Sequence, residues 1–488
     1  MSSLQVFNTL SGKKEEFLPI SGKTVLMYAC GPTVYDYSHL GHARMAIVWD
    51  VVQRYLRHIG YDVTFVRNIT DVDDKIIERA SKLNTSAERV AREFTYTFWY
   101  DMHRLNVAPP DYEPRCTEFI LPMIAFIEQL IDKGHAYESE GDVYFEVSSF
   151  KQYGKLGKKN IADLMPDTRA LARSKEDLGK RKKSPVDFAL WKGAPEKEPG
   201  WHSPWGHGRP GWHLECSTMI KHVLGETIDI HAGGQDLVFP HHENEIAQSN
   251  CLHGKPLAKY WLHNSFVNVS AEKMSKSLGN FSTIDGLLLQ FSPDTIRLFV
   301  LTTHYRHPID FTDESLSSTR AALSRLLRAA EFDQSPDNAP EALMGEVMLI
   351  NKKNANGSQE DVLEDQITSE FRTAFQESMD NDFNTAQAVS HMFGLADRIF
   401  NEKDPTKQAT YARLLRQHAA ILGLTLADTR KDLDSTTGKE LIDLVLELRQ
   451  NARGKKDFQT SDLIRDKLVK LGISVMDGSH GQATWERF

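Results

Sequence analysis

Residues 24 to 58 read TVLMYACGPTVYDYSHLGHARMAIVWDVVQRYLRH, and this stretch decides the fold. Thr24 to Tyr28 is a short apolar run that Cys30, Gly31 and Pro32 stop as a turn would, which predicts a buried strand. From about His39 to His58, Ala46, Val48, Trp49, Val52, Tyr55 and Leu56 supply one face of a helix. A second strand-like run, Val63 to Val66, follows, and Asp71, Asp73 and Asp74 mark another helix start. Strand, turn, helix and strand within about fifty residues make a βαβ unit and predict a mostly parallel sheet. Ligands of such a sheet sit at the carboxyl ends of its strands.

Outward from this unit the pattern loosens between Pro109 and Pro204, where only Asp142 to Val147 alternates, as an edge or hairpin strand does. Strand and helix alternation returns from Gly211 to Gly279: Thr227 to His231, a Gly-rich turn, then a helix from about Pro240. This is the second half of the same sheet, with the loose segment inserted between the halves. Beyond Phe311 the chain turns helical; Thr312, Asp313 and Glu314 open a helix that Leu316, Leu323, Leu326, Leu327 and Ala330 continue. Further helical patterns cover Phe383 to Phe400 and Tyr411 to Leu422, and Phe332 to Gln366 reads as a long connection. The last unit opens with a helix at Leu441 and closes in Gly-, Ser- and His-rich turns. The expected division is therefore a first half of the core (1–108), an inserted connective segment (109–204), a second half (205–311), a helical bundle (312–430) and a small C-terminal domain (431–488).

A chain of 488 residues exceeds one compact core, and 40% hydrophobic with 26% charged residues excludes collagen-like and mostly disordered classes. No apolar run approaches the roughly 18 residues of a membrane span. The start, MSSLQVFNTLSGKKEEF, lacks the order of a secretory signal, so a cytoplasmic protein is expected. Cys30, Cys116, Cys216 and Cys251 form no C-x-x-C pair, which fits a reducing compartment. The formal net charge of −9 argues against nucleic acid as a partner. Locally the balance reverses: Lys151 to Lys183 holds eleven basic and four acidic residues, and the segment from Arg449 onward eight and five. The first of these is either a solvated loop or a phosphate-facing surface.

Two segments could carry chemistry. His39-Leu40-Gly41-His42 opens the first helix, so its histidines at i and i+3 share a face near N–H groups that suit a phosphate. Gly41 lets a flat ligand approach the backbone. Downstream, Lys273-Met274-Ser275-Lys276-Ser277 places two ammonium groups in a small-residue loop that can neutralise charge on a triphosphate. Either alone is as well read as structural: a histidine pair at a helix start, a solvated charged loop.

In this order and beside a parallel sheet, H-L-G-H resembles the H-I-G-H signature, and K-M-S-K-S is identical to the second signature, of the class I aminoacyl-tRNA synthetases. Within that class YACGPTVYDYSHLGH, FVRNITDVDDKI, DFALWK, GRPGWHLECS, GGQDLVFPHHENEIAQS and EKMSKSLGN are similar to the cysteinyl-tRNA synthetase family, and DNDFNTAQA and KDFQTSDLIRDKL extend the likeness almost to the end. The resemblance implies a Rossmann-type α/β core that activates cysteine with ATP and magnesium and transfers it to a cysteine-accepting tRNA in the cytoplasm. The family is often monomeric, and no motif here decides the oligomeric state.

The resemblance also implies site residues. Cys30, Cys216, His241 and Glu245 stand where the family binds one zinc ion. Read without the family, the two cysteines are small buried residues at separations no spacing rule recognises, while His241 and Glu245 can share a helix face. H-E-x-x-H is excluded because position 246 is Ile246. Zinc would tell a cysteine thiol, which ionises near pH 8.5, from a serine hydroxyl, a distinction an apolar pocket makes poorly. Thr70 and Trp212 are implied around the substrate side chain, where unaided reading sees a turn cap and a core residue. His39 and His42 are implied at the ATP phosphates and adenine side, Asp236 at the ribose, and Lys273 and Lys276 at the departing pyrophosphate. The chain departs from the family at Leu40, for isoleucine, and at Ala232, where glycine is common. Two rivals stand beside this reading: a related ligase joining cysteine to an amino sugar in mycothiol synthesis, which lacks the C-terminal tRNA-reading unit, and a zinc-stabilised RNA-binding protein without catalysis. The long chain after Phe311 and the intact signatures argue against them.

Overall fold

The computed structural model of the chain describes residues 3–160, 181–196, 198–269, 272–273, 282–333, 365–427, 436–477 and 483–487. At its centre four parallel strands lie in the order Ala258–Asn264, Ile228–Gly234, Thr24–Ala29 and Asp62–Arg67. The first strand pairs from Thr24↔Asp62 to Ala29↔Arg67 on one side and from Ile230↔Met27 to Ala232↔Ala29 on the other. The winding direction therefore reverses between the strand ending at Ala29 and the strand ending at Gly234, the position where doubly wound sheets open a ligand crevice. The core is Rossmann-type, as the motifs imply.

Helix Leu40–His58 returns the chain across this sheet. Leu40, Ala43, Ile47, Trp49, Val52 and Leu56 are buried with the strand residues Val25, Met27, Val63 and Phe65 in one core. Each large apolar side chain buried this way contributes about 1.5–3 kcal/mol. The loose segment is more regular than its pattern suggests. It holds helix Ile120–Asp132 and a five-stranded antiparallel sheet in the order Ala136–Ser139, Asp142–Phe145, Phe188–Gly193, Gly206–Pro210, Trp201–Ser203. Asp142–Phe145 belongs to a hairpin, as expected, but is no edge: it pairs on both sides and all four of its residues are buried. A second core joins this insertion to helices Trp212–Val223 and Glu243–His253.

Helices Asp313–Ala330, Gln366–Asp380, Thr385–Asn401 and Pro405–Ile421 form the bundle, each started by a side-chain cap from Thr312, Asp365, Asn384 or Asp404. Helix Pro293–Leu301 joins it to the first core helix through a fully buried ion pair, in which Arg297 Nη2 lies 2.6 Å from Asp50 Oδ2. The same guanidinium donates to the carbonyls of Leu105, Asn106 and Leu422. Gly423 must be glycine here, since it has φ +70° and a Cβ would stand 2.0 Å from Arg297 Nη2. The last unit packs helices Thr436–Gly454 and Phe458–Lys470 on a hairpin, Ile473–Asp477 with Ala483–Arg487, around Ile442, Leu446, Leu468 and Ile473. The hairpin stands where turns were expected, because its two five-residue strands flank a Gly-, Ser- and His-rich link that dominates the local reading. The 332–366 connection lies almost wholly outside the described residues.

Candidate active site

Cys30 leaves the end of the first strand, and its backbone N–H continues the sheet by donating to Ala232 O at 3.2 Å. Gly31 follows so close to the next strand that a Cβ would fall 1.6 Å from Asn68 O, and its N–H donates to Asn68 Oδ1. Only glycine lets the chain turn there and present the thiol inward. Cys216 comes from helix Trp212–Val223 and Glu245 from helix Glu243–His253. His241 sits in a wide turn, Val238–His242, rather than in a regular helix from Pro240, because Phe239 is extended. These elements bring Cys30, Cys216, His241 and Glu245 together, with their ligand atoms all within 4.8 Å of one another. Cys30 Sγ is 3.6 Å from Cys216 Sγ and 3.7 Å from Glu245 Oε1, and His241 Nε2 is 3.0 Å from the same oxygen.

The four groups are buried and pull their proton affinities apart. Burial would raise the Cys216 thiol, but hydrogen bonding from Cys30 and the neighbouring His241 bring it down to about 6. Burial, with Cys216 and Glu245 beside it, pushes the Cys30 thiol well up. Burial would lower His241, yet Glu245 and Cys216 raise it to about 10. Glu245, which burial would raise, is held at about 2 by His231 and His241. Two thiol sulfurs, an imidazole and a carboxylate at this spacing make a donor set compatible with a metal ion.

A second set shares two members. Cys30 and Glu245 also lie within 4.8 Å of His231 and His242. His231 Nε2 is 2.8 Å from Glu245 Oε2, and His242 Nε2 is 3.3 Å from Cys30 Sγ. A relay continues outward from His242 Nδ1 to His263 Nε2 and from His263 Nδ1 to Thr9 Oγ1, each 2.8 Å. One ion cannot use both sets; the first has two sulfurs, and in the second the histidines already hold the other donors as outer partners do. None of His231, His242 and His263 is apparent from spacing, since they lie on two strands and a turn. Their one signal is that each stands within a core strand or in the turn after it.

Trp212 is 39% exposed and stacks on His241 with centroids 4.2 Å apart, so it faces the crevice instead of filling a core. Behind it, His213 Nδ1 is 3.0 Å from His241 Nδ1. Thr70 is buried and donates to Glu215 Oε2 at 3.0 Å, and Cys116 Sγ approaches the same oxygen at 2.7 Å. Cys116 is thus held by a carboxylate outside both four-donor sets.

The phosphate side lies at the start of the first helix. His39 is its N-cap: Nδ1 accepts from Gly41 N at 3.1 Å, while His42 Nδ1 accepts from His39 N at 3.1 Å, and the rings stand 4.0 Å apart. Leu40 N donates to Ser282 O and Ile284 N to Ser38 O, so the first signature is joined to the residues following the second. Lys273 pairs with Asn268 in a short antiparallel ladder, whereas Lys276 lies outside the described residues. Asp236 sits in the turn Gln235–Leu237 that ends the Ile228–Gly234 strand. Ala232 is buried inside that strand, and its φ is not positive. This position does not require glycine.

A family model described as "tRNA synthetases class I (C) catalytic domain" matches residues 16–321, one described as "DALR domain" residues 374–427, and one described as "Cysteinyl-tRNA ligase anticodon binding domain" residues 439–485. The chain is similar to the cysteine–tRNA ligase of Syntrophotalea carbinolica, 46% identical over 501 residues with 99% of each chain covered. It is 44% identical over 498 residues to that of Geobacter sulfurreducens, again covering 99% of each. Among solved structures it is similar in fold to Mycobacterium tuberculosis methionyl-tRNA synthetase in complex with methionyl-adenylate, with TM-score 0.55, 15% identity, and 87% of this chain and 94% of that one covered. A ternary complex of Agrobacterium radiobacter LeuRS, tRNA and LeuAMS gives TM-score 0.59 at 12% identity, covering 84% and 85%.

Proposed function

The chain belongs to the cysteine–tRNA ligase family of the class I tRNA synthetases, and we propose on that premise that it activates L-cysteine with ATP and transfers it to a cysteine-accepting tRNA. One observation carries the reading: a buried four-donor set includes Cys30, at the carboxyl end of the strand that leads into a helix whose N-terminus carries two histidines. Cys30, Cys216, His241 and Glu245 would hold one zinc ion, whose donor preferences this set fits. When bound, zinc supplies a Lewis acid that favours a thiolate over an alcohol.

The chain's own residues do the rest. Trp212 and Thr70 border the substrate side chain and orient its carboxylate toward the phosphates. His39, Gly41 and His42 receive the triphosphate at the helix N-terminus, where backbone N–H groups and the helix dipole favour negative charge. Asp236 accepts from the ribose hydroxyls. As the cysteine carboxylate oxygen bonds to the α-phosphorus, the bond to the β-phosphate oxygen breaks, and Lys273 and Lys276 hold the departing pyrophosphate with its magnesium. The terminal ribose hydroxyl of tRNA then attacks the adenylate carbonyl, and AMP leaves. The five stretches named from sequence would divide this labour, the insertion and the helical C-terminal units holding the tRNA. Among the described residues no helix is long and apolar enough to cross a membrane.

The test is ATP–pyrophosphate exchange without tRNA. Cysteine should drive exchange and serine should not; no exchange by protein holding one zinc per chain sinks the reading.

A further inference from the structure

The basic stretch 151–183 separates into two kinds of residue. Its described end is neutralised within the insertion: Arg181 pairs with Glu140 at 2.9 Å and Asp142 at 3.3 Å, Lys183 with Glu146 at 2.8 Å, and Lys182 lies over the Tyr144 ring. Its beginning is different. Lys151, Lys155, Lys158 and Lys159 are all exposed, and none of them enters an ion pair among the described residues. Four unpaired ammonium groups within nine residues stand out on a chain whose formal net charge is −9.

These lysines do not hang on a free loop. The turn closes on itself through Tyr153 N to Phe150 O at 3.1 Å and Lys159 N to Gly154 O at 2.9 Å. Two of its side chains point inward: Tyr153 and Leu156 are buried, and Tyr153 OH donates to Asn244 Oδ1. Glu243, itself fully buried, accepts from Gly157 N at 2.8 Å, and the N–H groups of Gly154, Lys155 and Leu156 face the same carboxylate. Gly157 packs on Phe239, so a Cβ there would meet that ring at 3.2 Å. Phe239, Glu243 and Asn244 lie between Asp236 and Glu245. The turn is therefore fastened to the segment between Asp236 and Glu245, with its four lysines exposed and the Lys158 ammonium lying beside Gly12.

Resting on the ligase reading above, we propose that the turn 151–159 is a phosphate-binding surface that takes the sugar-phosphate backbone of tRNA beside the active site. Lysines on a fixed turn suit this partner, because they read charge and spacing without base edges and lose less freedom on binding than lysines on a mobile loop. Their attraction must weaken with salt, since each neutralised phosphate releases its counterions.

The test compares wild type with the fourfold variant Lys151→Gln, Lys155→Gln, Lys158→Gln, Lys159→Gln and with its fourfold Lys→Arg counterpart. Binding of a cysteine-accepting tRNA transcript is measured across salt concentrations, alongside ATP–pyrophosphate exchange. We expect the Gln variant to raise the tRNA Kd roughly tenfold or more, and to flatten the plot of log affinity against log salt by up to about one unit per lysine. Exchange should be unchanged, and the Arg variant should bind as wild type does. An unchanged affinity and slope in the Gln variant, while wild type charges tRNA, overturns the surface but not the ligase reading. Equal losses in the Gln and Arg variants would make the lysines structural and also overturn it. A wild type that charges no tRNA removes the ligase reading, and this inference with it.

Discussion

Cys216→Ala separates the two overlapping donor sets. The side chain is buried and its Sγ stands 3.6 Å from Cys30 Sγ, so the substitution removes one sulfur from the first set and nothing from the second. The cost to the fold is small, about 1 kcal/mol, because only one small group leaves a core. The cost to the metal is larger. Four-donor zinc sites bind with about 10–16 kcal/mol, so losing one of four donors removes roughly 2.5–4 kcal/mol, or two to three orders of magnitude in affinity. Dialysed protein should then hold well under one zinc per chain by elemental analysis, with circular dichroism unchanged. Exchange driven by cysteine relative to serine should fall toward the roughly 10- to 200-fold that a metal-free pocket achieves. His242→Ala should behave differently, keeping zinc with affinity lowered by about 10- to 100-fold, as the loss of an outer partner does. Full zinc in Cys216→Ala together with its loss in His242→Ala would refute this assignment and place the ion among Cys30, His231, His242 and Glu245.

Arg297→Met should lower stability to denaturant by about 3–5 kcal/mol, because Asp50 keeps Arg54 as its one cationic partner and the buried carbonyls of Leu105 and Leu422 lose their donor; a loss below about 1 kcal/mol would show that the joint relaxes around the gap. Ala232→Gly restores the residue common at that position, yet the backbone is extended there, so the change should cost about 0.5–1 kcal/mol and leave cysteine-driven exchange as it was. Faster exchange in that variant would show that the Cβ obstructs the site.

Much of the core was readable because its signals are local. The apolar run ending at Cys30, the helical face from Ala46 to Leu56 and the Thr312 cap each lie within one element, and each element is present. The five-stranded insertion was harder: its strands run three to six residues and are separated by turns and by a stretch outside the described residues, so no periodicity accumulates. The four-donor set is legible only through family likeness, since its members come from positions 30 to 245 and nothing in spacing relates them. His231, His242 and His263 show the same limit more sharply. Their meeting depends on strand register, such as His231 opposite Tyr28 and Trp261, which no single segment encodes. Trp212 shows how far unaided reading reaches, because an apolar ring is usually interior, whereas this one is partly exposed and stacks on His241.

The sheet's winding also sets an order of events during synthesis. The strand Thr24–Ala29 leaves the ribosome early, but its inner neighbour Ile228–Gly234 follows only about 200 residues later. At roughly 5–20 residues per second, that edge waits about 10–40 s before it is covered. Until then Cys30 has neither Cys216 nor Glu245 beside it, and the strand offers bare N–H and C=O groups to any other extended chain. Meanwhile Asp62–Arg67 can pair on its other side and helix Leu40–His58 can cover one face, but the margin that Ile228–Gly234 will take stays open. Closing that margin and assembling the four-donor cluster are the same event.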